Sequence, residues 1–438
     1  MQVSVETIGA LERRMTVKIP AQRVEDEVES RLKSLSRTAS LKGFRPGKAP
    51  FKVVQQNFGP QVRDEVLNEL LRQTYGEAVV QQKLNPAGGP KLEPLKVEPG
   101  KDLEYAATFE VYPEVKLTGL DALKVERPVA EVTDADVDKM VENLRRQRGS
   151  WKPVARGARD GDRVTIDFEG TLDGQPFPGN KGDKLPVVIG SNRMVAGFEP
   201  KLVGQTAGQD LSFEVGFPHD HATVQLAGRT VRFVVKVHEV AELELPPLDD
   251  AFCAAFGVRE GGVTKLRADV RENMVRELAE TVRRRQKDQV LEALLAANTV
   301  ELPKALVEEE IHRLQRDALQ RMGLLEHSRQ PDLPREMFEE QARRRVKLGL
   351  LMGEVLQSQQ IKLEQARVEK ALAELVSEYQ DRENALRAYR GNRDVMRQLE
   401  AHAYEEQAVD FLLAKAKVSD KPTSFSELMR FGADGNRG

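Results

Sequence analysis

Two patterns of hydrophobic and polar residues occur in the first 112 residues, one typical of strands and one typical of helices. Apolar and polar residues alternate, as they do along a half-buried strand, over residues 2–5, 15–19 and 103–111. Apolar residues recur instead every three or four positions, as on one face of a helix, over residues 24–39 and 54–71. The segment NPAGGP at 85–90 is typical of a turn. We therefore predict an α+β domain with two helices between strands over residues 1–112.

The pattern changes several times after that domain. Residues 113–150 are predicted to form a connector with one helix, capped by Thr133 and Asp136. Residues 151–245 hold glycines and short β-rich runs such as RVTIDFEGTL and TVRFVVKVHEV, which indicate an antiparallel β domain. Residues 246–418 have helical spacing almost throughout, and residues 419–438 are expected to be a flexible tail. The predicted fold class is a multidomain α+β protein whose C-terminal region is all-α.

Composition adds few constraints. The formal net charge is −3, so binding to a polyanion would need a local basic patch. No apolar run approaches the roughly 20 residues that span a bilayer, and Glu6 lies where a secretion signal would have its apolar core. The single cysteine, Cys253, excludes an internal disulfide and suits a reducing compartment. We expect a cytoplasmic protein with no membrane partner.

Two short motifs suggest chemistry that the residues do not support. His219 and His221, on either side of Asp220, are the only closely spaced histidines, and no further histidine or cysteine lies near them in the sequence. The run from Gly43 to Lys48 is one residue too short for a phosphate-binding loop, and Ala49 stands where such a loop needs a hydroxyl. We therefore expect no metal, no nucleotide and no other cofactor.

The stretch SLKGFRPGKAPFK at 40–52 lies in the interval between the two predicted helices of the first domain. Residues 30–63 contain eight bases and no acid. A loop of that charge creates a local positive potential, for which a phosphate backbone is the natural partner. The residues alone leave open the alternative that this loop is merely solvated.

The predicted β domain is rich in phenylalanine. The phenylalanines between residues 151 and 242 are Phe168, Phe177, Phe198, Phe213, Phe217 and Phe233. Together with Met194 and Val195 they could line an apolar pocket. The alternative is a plain hydrophobic core, which suits Phe213 because it alternates with Leu211 and Val215 along a predicted strand.

The loop sequence GFRPGKAP resembles the GFRxGKxP signature of bacterial trigger factors, which are ribosome-associated chaperones. The resemblance continues through MQVSVET, NPAGGP, FEVYPEV, VTDADVD and EEQAV, in order along nearly the whole chain. It implies that a six-residue loop docks on the large ribosomal subunit beside the peptide exit tunnel, touching a ribosomal protein and rRNA. Those loop residues are Gly43, Phe44, Arg45, Pro46, Gly47 and Lys48. It also implies that the helical region forms a body with two arms that bind nascent and unfolded polypeptides, and that the free protein forms homodimers.

The segment from Arg163 to Gly204 resembles FKBP-type peptidylprolyl isomerases. The resemblance implies that seven residues surround a proline ring, namely Phe168, Phe177, Met194, Val195, Phe198, Phe217 and Phe233. The chain departs from the common pattern at three positions. Phe168 stands where many relatives have tyrosine, Pro178 where many have an acid, and Phe198 where many have tryptophan.

The expected function is therefore an ATP-independent, ribosome-associated chaperone that also catalyses cis/trans isomerisation of X-Pro bonds. One alternative is a chaperone alone, whose FKBP-like domain is an accessory site for client binding. Another is an RNA-associated factor for ribosome assembly, which the signature loop and the FKBP-like segment together disfavour.

Overall fold

A computed structural model describes residues 1–41, 44, 48–98, 100–219, 221, 223, 225–324, 331–377 and 379–434. The strands are β1 (Gln2–Thr7), β2 (Glu12–Ile19), β3 (Lys91–Lys96), β4 (Leu103–Glu110), β5 (Lys124–Val129), β6 (Ser150–Pro153), β7 (Arg163–Thr171), β8 (Lys181–Val188), β9 (Asp210–Gly216), β10 (Thr230–Glu244) and β11 (Lys417–Pro422). The helices are α1 (Ala21–Ser36), α2 (Phe51–Gln81), α3 (Asp134–Gln147), α4 (Asp250–Ala255), α5 (Gly262–Ala297), α6 (Lys304–Arg321), α7 (Glu336–Ser358), α8 (Gln365–Leu375), α9 (Arg382–Gly391), α10 (Arg393–Lys415) and α11 (Phe425–Asp434).

These elements form two compact units. One unit contains Met1–Arg127 and Arg284–Asp420, and the other contains Pro128–Arg283 and Lys421–Gly438. Each unit draws on more than one of the predicted domains. The two units do not test the predicted domain limits, which stay predictions. The predicted fold class is confirmed.

The first unit begins with an antiparallel sheet in the order β1-β2-β4-β3. Alternate residues of β2 and β4, among them Met15, Val17 and Tyr105, are fully buried against α1 and α2. The strands and helices predicted for this region are thereby confirmed. Helix α1 ends at Ser36, three residues before the predicted end, although Ala39 beyond it is still buried.

Proline marks where several helices begin. Pro20, Pro50 and Pro303 directly precede α1, α2 and α6. A proline has no N–H to leave unpaired, and its fixed φ suits the entry to a helix. In the same unit α6 and α7 pack against each other around Ile311 and Ala342, and a separate core joins parts of α5, α7 and α10.

The second unit holds the predicted β domain. Its sheet has the order β6-β10-β7-β8, and β9 pairs with the first half of β10, all antiparallel. Along β10 the residues Val231, Phe233, Val235 and Val237 are buried and those between them are exposed. One face of the sheet therefore carries the core, as the alternation predicted.

A helical layer completes the second unit. Thr133 caps α3 by accepting from the Asp136 amide, and the Asp136 carboxylate accepts from the Thr133 amide in return, so the predicted cap is confirmed. Val137 and Val141 of α3 then pack with Leu266 of α5.

The end of the chain differs from the predicted flexible tail. Residues 417–422 form β11, which pairs with β5, and residues 425–434 form α11. Phe425 and Leu428 are buried in the core that contains α3 and α5. These two residues lie three positions apart, on one face of a helix turn, and their burial holds this segment in place. The residues beyond 434 lie outside the described part of the chain.

Candidate active site

A cluster of phenylalanine rings lies on the inner face of the β7–β10 sheet. Phe198 is fully buried, and its ring centroid lies 5.1 Å from that of Phe233 and 5.2 Å from that of Phe213. Phe168 stands 6.2 Å from Phe198 and 6.1 Å from Phe233. These four ring pairs are edge-to-face, which is a favourable arrangement of aromatic rings. A fifth pair, Phe213 and Phe233, is tilted.

The other residues predicted for this site pack around the same core. Phe177, Met194, Val195 and Phe217 are half-buried against it. The structure therefore brings all seven predicted residues together in one cluster, with Phe198 and Phe233 at its base and the rest partly open.

Two residues of this cluster were not predicted as site residues. Phe213, which the sequence suggested to be plain core, is half-buried and packs its ring on Phe198. The ring of His221 lies edge-on to Phe217 with centroids 5.0 Å apart, and its Nδ1 accepts from the Thr223 amide. His219, its neighbour in the sequence, packs instead against Gly228.

Glycine is required where the backbone of two strands meets these rings. A Cβ at Gly182 of β8 would lie 2.5 Å from Cε1 of Phe168. A Cβ at Gly170 of β7 would lie 2.8 Å from Cε1 of Phe233 and 3.2 Å from Cζ of Phe177. Because the shortest distance at each glycine is below 3 Å, neither position can carry a side chain unless the neighbouring ring moves. The two glycines therefore set how closely the rings approach the sheet.

A buried carboxylate shapes the loop that carries Met194 and Val195. Glu199 is only 4% exposed. It accepts hydrogen bonds from the amides of Gly190, Asn192, Arg193 and Met194 and from the Ser191 hydroxyl, at 2.8–3.1 Å. Burial alone raises the pKa of Glu199, but these donors outweigh it and hold the pKa below its ordinary value. Glu199 was not among the predicted site residues, and its only signal in the sequence is its position directly after Phe198 in GFE.

The chemistry open to this cluster is that of an apolar surface. No group of three or more His, Cys, Asp or Glu among the described residues is arranged to hold a metal ion. A neighbouring cavity of about 340 Å³ is lined by Leu172, Gln175, Pro176, Phe177, Gln225 and Arg229. Phe177 thus borders both the aromatic cluster and a groove whose lining is partly polar.

The basic loop is described only in part. Phe44 is 41% exposed and Lys48 is exposed. The other predicted ribosome-binding residues, Gly43, Arg45, Pro46 and Gly47, lie outside the described residues.

The helical part of the first unit contains a larger cleft. It has a volume of about 1150 Å³ and is lined by residues of α6 and α7 and by Tyr112. Its lining mixes apolar residues such as Leu319 and Leu350 with charged ones such as Glu309 and Arg316. Elsewhere, the helices in the described ranges include none that combines the length and the apolar character needed to cross a membrane.

The fold and the aromatic cluster together define a class, which is an FKBP-type peptidylprolyl isomerase domain joined to other domains. The matching family models are "Bacterial trigger factor protein (TF)" over residues 1–144, "FKBP-type peptidyl-prolyl cis-trans isomerase" over 155–238 and "Bacterial trigger factor protein (TF) C-terminus" over 262–414. The chain therefore belongs to the bacterial trigger factor family.

Curated relatives match it over nearly their whole length. The trigger factor of Thioalkalivibrio sulfidiphilus (strain HL-EbGR7) is 49% identical over 429 residues, which cover 98% of each chain. That of Alkalilimnicola ehrlichii (strain ATCC BAA-1101 / DSM 17681 / MLHE-1) is 48% identical over 98% of this chain and 95% of its own.

A solved structure agrees in fold. It is described as "Promiscuous Substrate Recognition in Folding and Assembly Activities of the Trigger Factor Chaperone", and it matches with a TM-score of 0.51 over 95% of this chain and 100% of its own, at 17% identity. As a member of the bacterial trigger factor family, the protein is a ribosome-associated chaperone with peptidylprolyl cis/trans isomerase activity, as its sequence predicted.

Proposed function

We propose that the aromatic cluster is the catalytic pocket and that Phe168, Phe177, Met194, Val195, Phe198, Phe217 and Phe233 surround the proline ring of a client. The observation that supports this most strongly is the packing of Phe198, which is fully buried at the centre of Phe168, Phe213 and Phe233. Phe198 forms the floor of the pocket, and the half-buried residues form its walls. The groove beside Phe177 takes the chain that flanks the proline.

An apolar pocket suits this reaction because no bond is made or broken. Resonance stiffens the peptide C–N bond and gives a rotation barrier of about 18–20 kcal/mol. Resonance also separates charge across the amide, so a dry pocket disfavours the planar form and favours the twisted one. A pocket that binds the twisted amide better than either planar isomer lowers the barrier without a nucleophile.

The proposed pocket is tested by replacing phenylalanine with leucine at two positions in the aromatic cluster and at one control position in the helical core. Phe168→Leu and Phe177→Leu change half-buried walls and spare the buried floor, whereas Phe256→Leu changes a half-buried ring that packs on Phe252 in the helical core. We expect the two wall variants to lose about tenfold or more in proline-limited refolding catalysis, because the fit to the twisted amide depends on those rings. We expect Phe256→Leu to retain the activity.

Refolding and aggregation assays together separate this proposal from the alternative of a chaperone without isomerase activity. If the wall variants keep full isomerase activity, the pocket lies elsewhere. If wild type itself does not accelerate proline-limited refolding yet prevents aggregation, the FKBP-type domain is an accessory client-binding site.

Ribosome docking is assigned to the basic loop, from Gly43 to Lys48. Exposed Phe44 and Lys48, and the absence of acids from residues 30–63, support contact with rRNA phosphates and a ribosomal protein near the exit tunnel. A phosphate-rich surface binds such a loop through charge pairing and release of counterions.

Clients are held mainly by the predicted helical domain, residues 246–418. The cleft along α6 and α7 supports this, because a lining that mixes apolar and charged residues suits weak contacts to many different unfolded segments. The proposed setting is the cytoplasm, and the proposed state away from the ribosome is a homodimer. Sedimentation of the free protein at several concentrations tests the latter.

A further inference from the structure

Strand β7, which carries Phe168, is flanked by an irregularity on each side. On the β8 side Ile166 pairs with Leu185 and Phe168 pairs with Gly182, so Asp183 and Lys184 together oppose the single residue Asp167. On the β10 side the register shifts between Val237 and Glu239, so His238 is the extra residue. Both are β-bulges, which bend strands and redirect side chains near functional sites.

One side chain joins the two bulges. Asp167 Oδ1 accepts from the Lys184 amide at 2.7 Å, and Asp167 Oδ2 lies 2.6 Å from Nε2 of His238. Lys184 has φ of 48°, a conformation that a lysine adopts at a cost and keeps only when its surroundings hold it. The pKa of Asp167 is lowered, first by the Lys184 amide and then by His238, so its carboxylate is ionised at neutral pH.

The contact reaches the pocket through the next residue in the strand. Successive side chains in a strand point to opposite faces, so Asp167 lies on the outer face and Phe168 on the inner face. The ring of Phe168 lies against the backbone of Gly182, where a Cβ would come within 2.5 Å. Gly182 is only two residues from Lys184, whose amide Asp167 holds. Movement of the β8 bulge would therefore move the surface on which Phe168 rests.

We propose that Asp167 and His238 are positioning residues for the isomerase pocket, because their contacts fix both bulges beside β7 and so set the place of the Phe168 ring. They touch no client. The inference rests on the proposed pocket, in which Phe168 is a wall.

The experiment compares variants of the full-length chain in isomerisation of a short proline peptide, with kcat and KM measured separately. Asp167→Ala removes both contacts, and we expect kcat/KM to fall about tenfold, mainly in kcat, because small displacements of a catalytic wall weaken the fit to the twisted amide more than they weaken client binding. Asp167→Asn keeps an acceptor for the Lys184 amide and should fall between Asp167→Ala and wild type. His238→Ala should lose activity about threefold to fivefold, whereas His238→Gln keeps a side-chain N–H donor and should stay within about twofold of wild type.

The matched control is Glu239→Gln. Glu239 on β10 pairs with Arg163 on β7 at 3.7 Å, but among the described residues it accepts no hydrogen bond from a backbone amide of β8. We expect its kcat and KM to match those of wild type. All assays are run at a temperature where circular dichroism shows each variant to be folded, so that lost stability is not read as lost catalysis.

The outcomes separate the inference from the activity on which it rests. If wild type does not catalyse the reaction, the isomerase assignment itself fails. If wild type is active and Asp167→Ala is within twofold of it, or if Glu239→Gln loses as much, the positioning role is wrong. Should Asp167→Ala not fold, Asp167→Asn and His238→Ala decide, and unchanged kcat in both overturns the inference.

Discussion

At the scale of single residues, Glu199 carries a charge in a place that only its hydrogen bonds make tolerable. A buried carboxylate without partners would be neutral at pH 7. Here the amides of residues 190 and 192–194 and the Ser191 hydroxyl converge on it. The loop that carries Met194 and Val195 therefore closes around an anion.

This arrangement makes the stability of the isomerase domain depend on pH. Because the folded pKa of Glu199 is lowered, its contribution is complete above the ordinary pKa of glutamate, about 4.3, and is lost as the pH falls through the lowered value. Glu199→Gln leaves part of the amides without an acceptor, and we expect it to reduce the free energy of unfolding by about 1–3 kcal/mol at pH 7. The difference from wild type should shrink below about pH 4.

Denaturant unfolding between pH 7 and pH 3 measures this effect. Glu214→Gln is the control, since Glu214 is exposed on β9. A Glu199→Gln variant that stays equally destabilised at pH 3 would show that the lost contribution is not that of the charge.

The sequence allowed some site residues to be identified more directly than others. Phe168 and Phe233 lie on strands, where alternation alone assigns them to the buried face. Met194 and Val195 lie in a loop without a period, and only the family resemblance implied that they surround a proline ring. Glu199 was missed for the same reason, because its burial arises from loop closure and leaves no mark on the local pattern. Whether these residues contact a client proline stays a prediction.

At the scale of secondary-structure elements, α3 shows how local chemistry and packing combine. Thr133 and Asp136 satisfy each other's backbone amides at the first turn, and Asp134 adds a negative charge there. One face of the helix then buries Val137 and Val141. The start of α3 could be predicted because a capping box depends on residues only three positions apart.

Removal of that cap should reduce the stability of α3 by a predictable amount. Thr133→Ala should destabilise α3 by about 1 kcal/mol, because the Asp136 amide loses the side-chain hydroxyl that accepts from it and keeps only the Thr133 carbonyl. Amide hydrogen exchange in α3 should then be about fivefold faster. Thr133→Ser keeps the hydroxyl and serves as the control. Equal exchange rates in Thr133→Ala and wild type would mean that the tertiary contacts of α3 alone hold its first turn.

The C-terminal elements could not be predicted locally, because their structure depends on packing partners far away in the sequence. A flexible tail is predicted for residues 419–438 because the ends of a chain commonly fray unless they are tied down. Yet Phe425 and Leu428 meet a core built from α3, α4 and α5, all of which lie more than 120 residues earlier in the chain. No local pattern reveals that such a surface is available to them.

At the scale of the whole molecule, charge is distributed unevenly along a nearly neutral chain. The net charge is −3, yet every charged residue in the stretch from 30 to 63 is basic. The proposed docking loop thus differs in sign from the protein that carries it. Long-range attraction to rRNA should come from this loop and should weaken as salt rises.

Charge reversal tests this assignment. Arg45→Glu with Lys48→Glu should abolish most cosedimentation with ribosomes at low salt and leave thermal unfolding nearly unchanged. Arg382→Glu with Arg393→Glu makes the same change in net charge at exposed positions on α9 and α10 and should bind as wild type does. Equal binding by both double variants would remove the loop from the docking surface.

The position of Trp151 has a practical consequence. It is the only tryptophan in the chain, it lies on β6 at the edge of the isomerase sheet, and the guanidinium of Arg163 stands 5.1 Å from its ring centroid. Intrinsic indole emission, excited beyond the tyrosine band, therefore originates from this one domain. The chain carries a natural fluorophore that reports the melting of the isomerase sheet separately from that of the helices, with no dye attached.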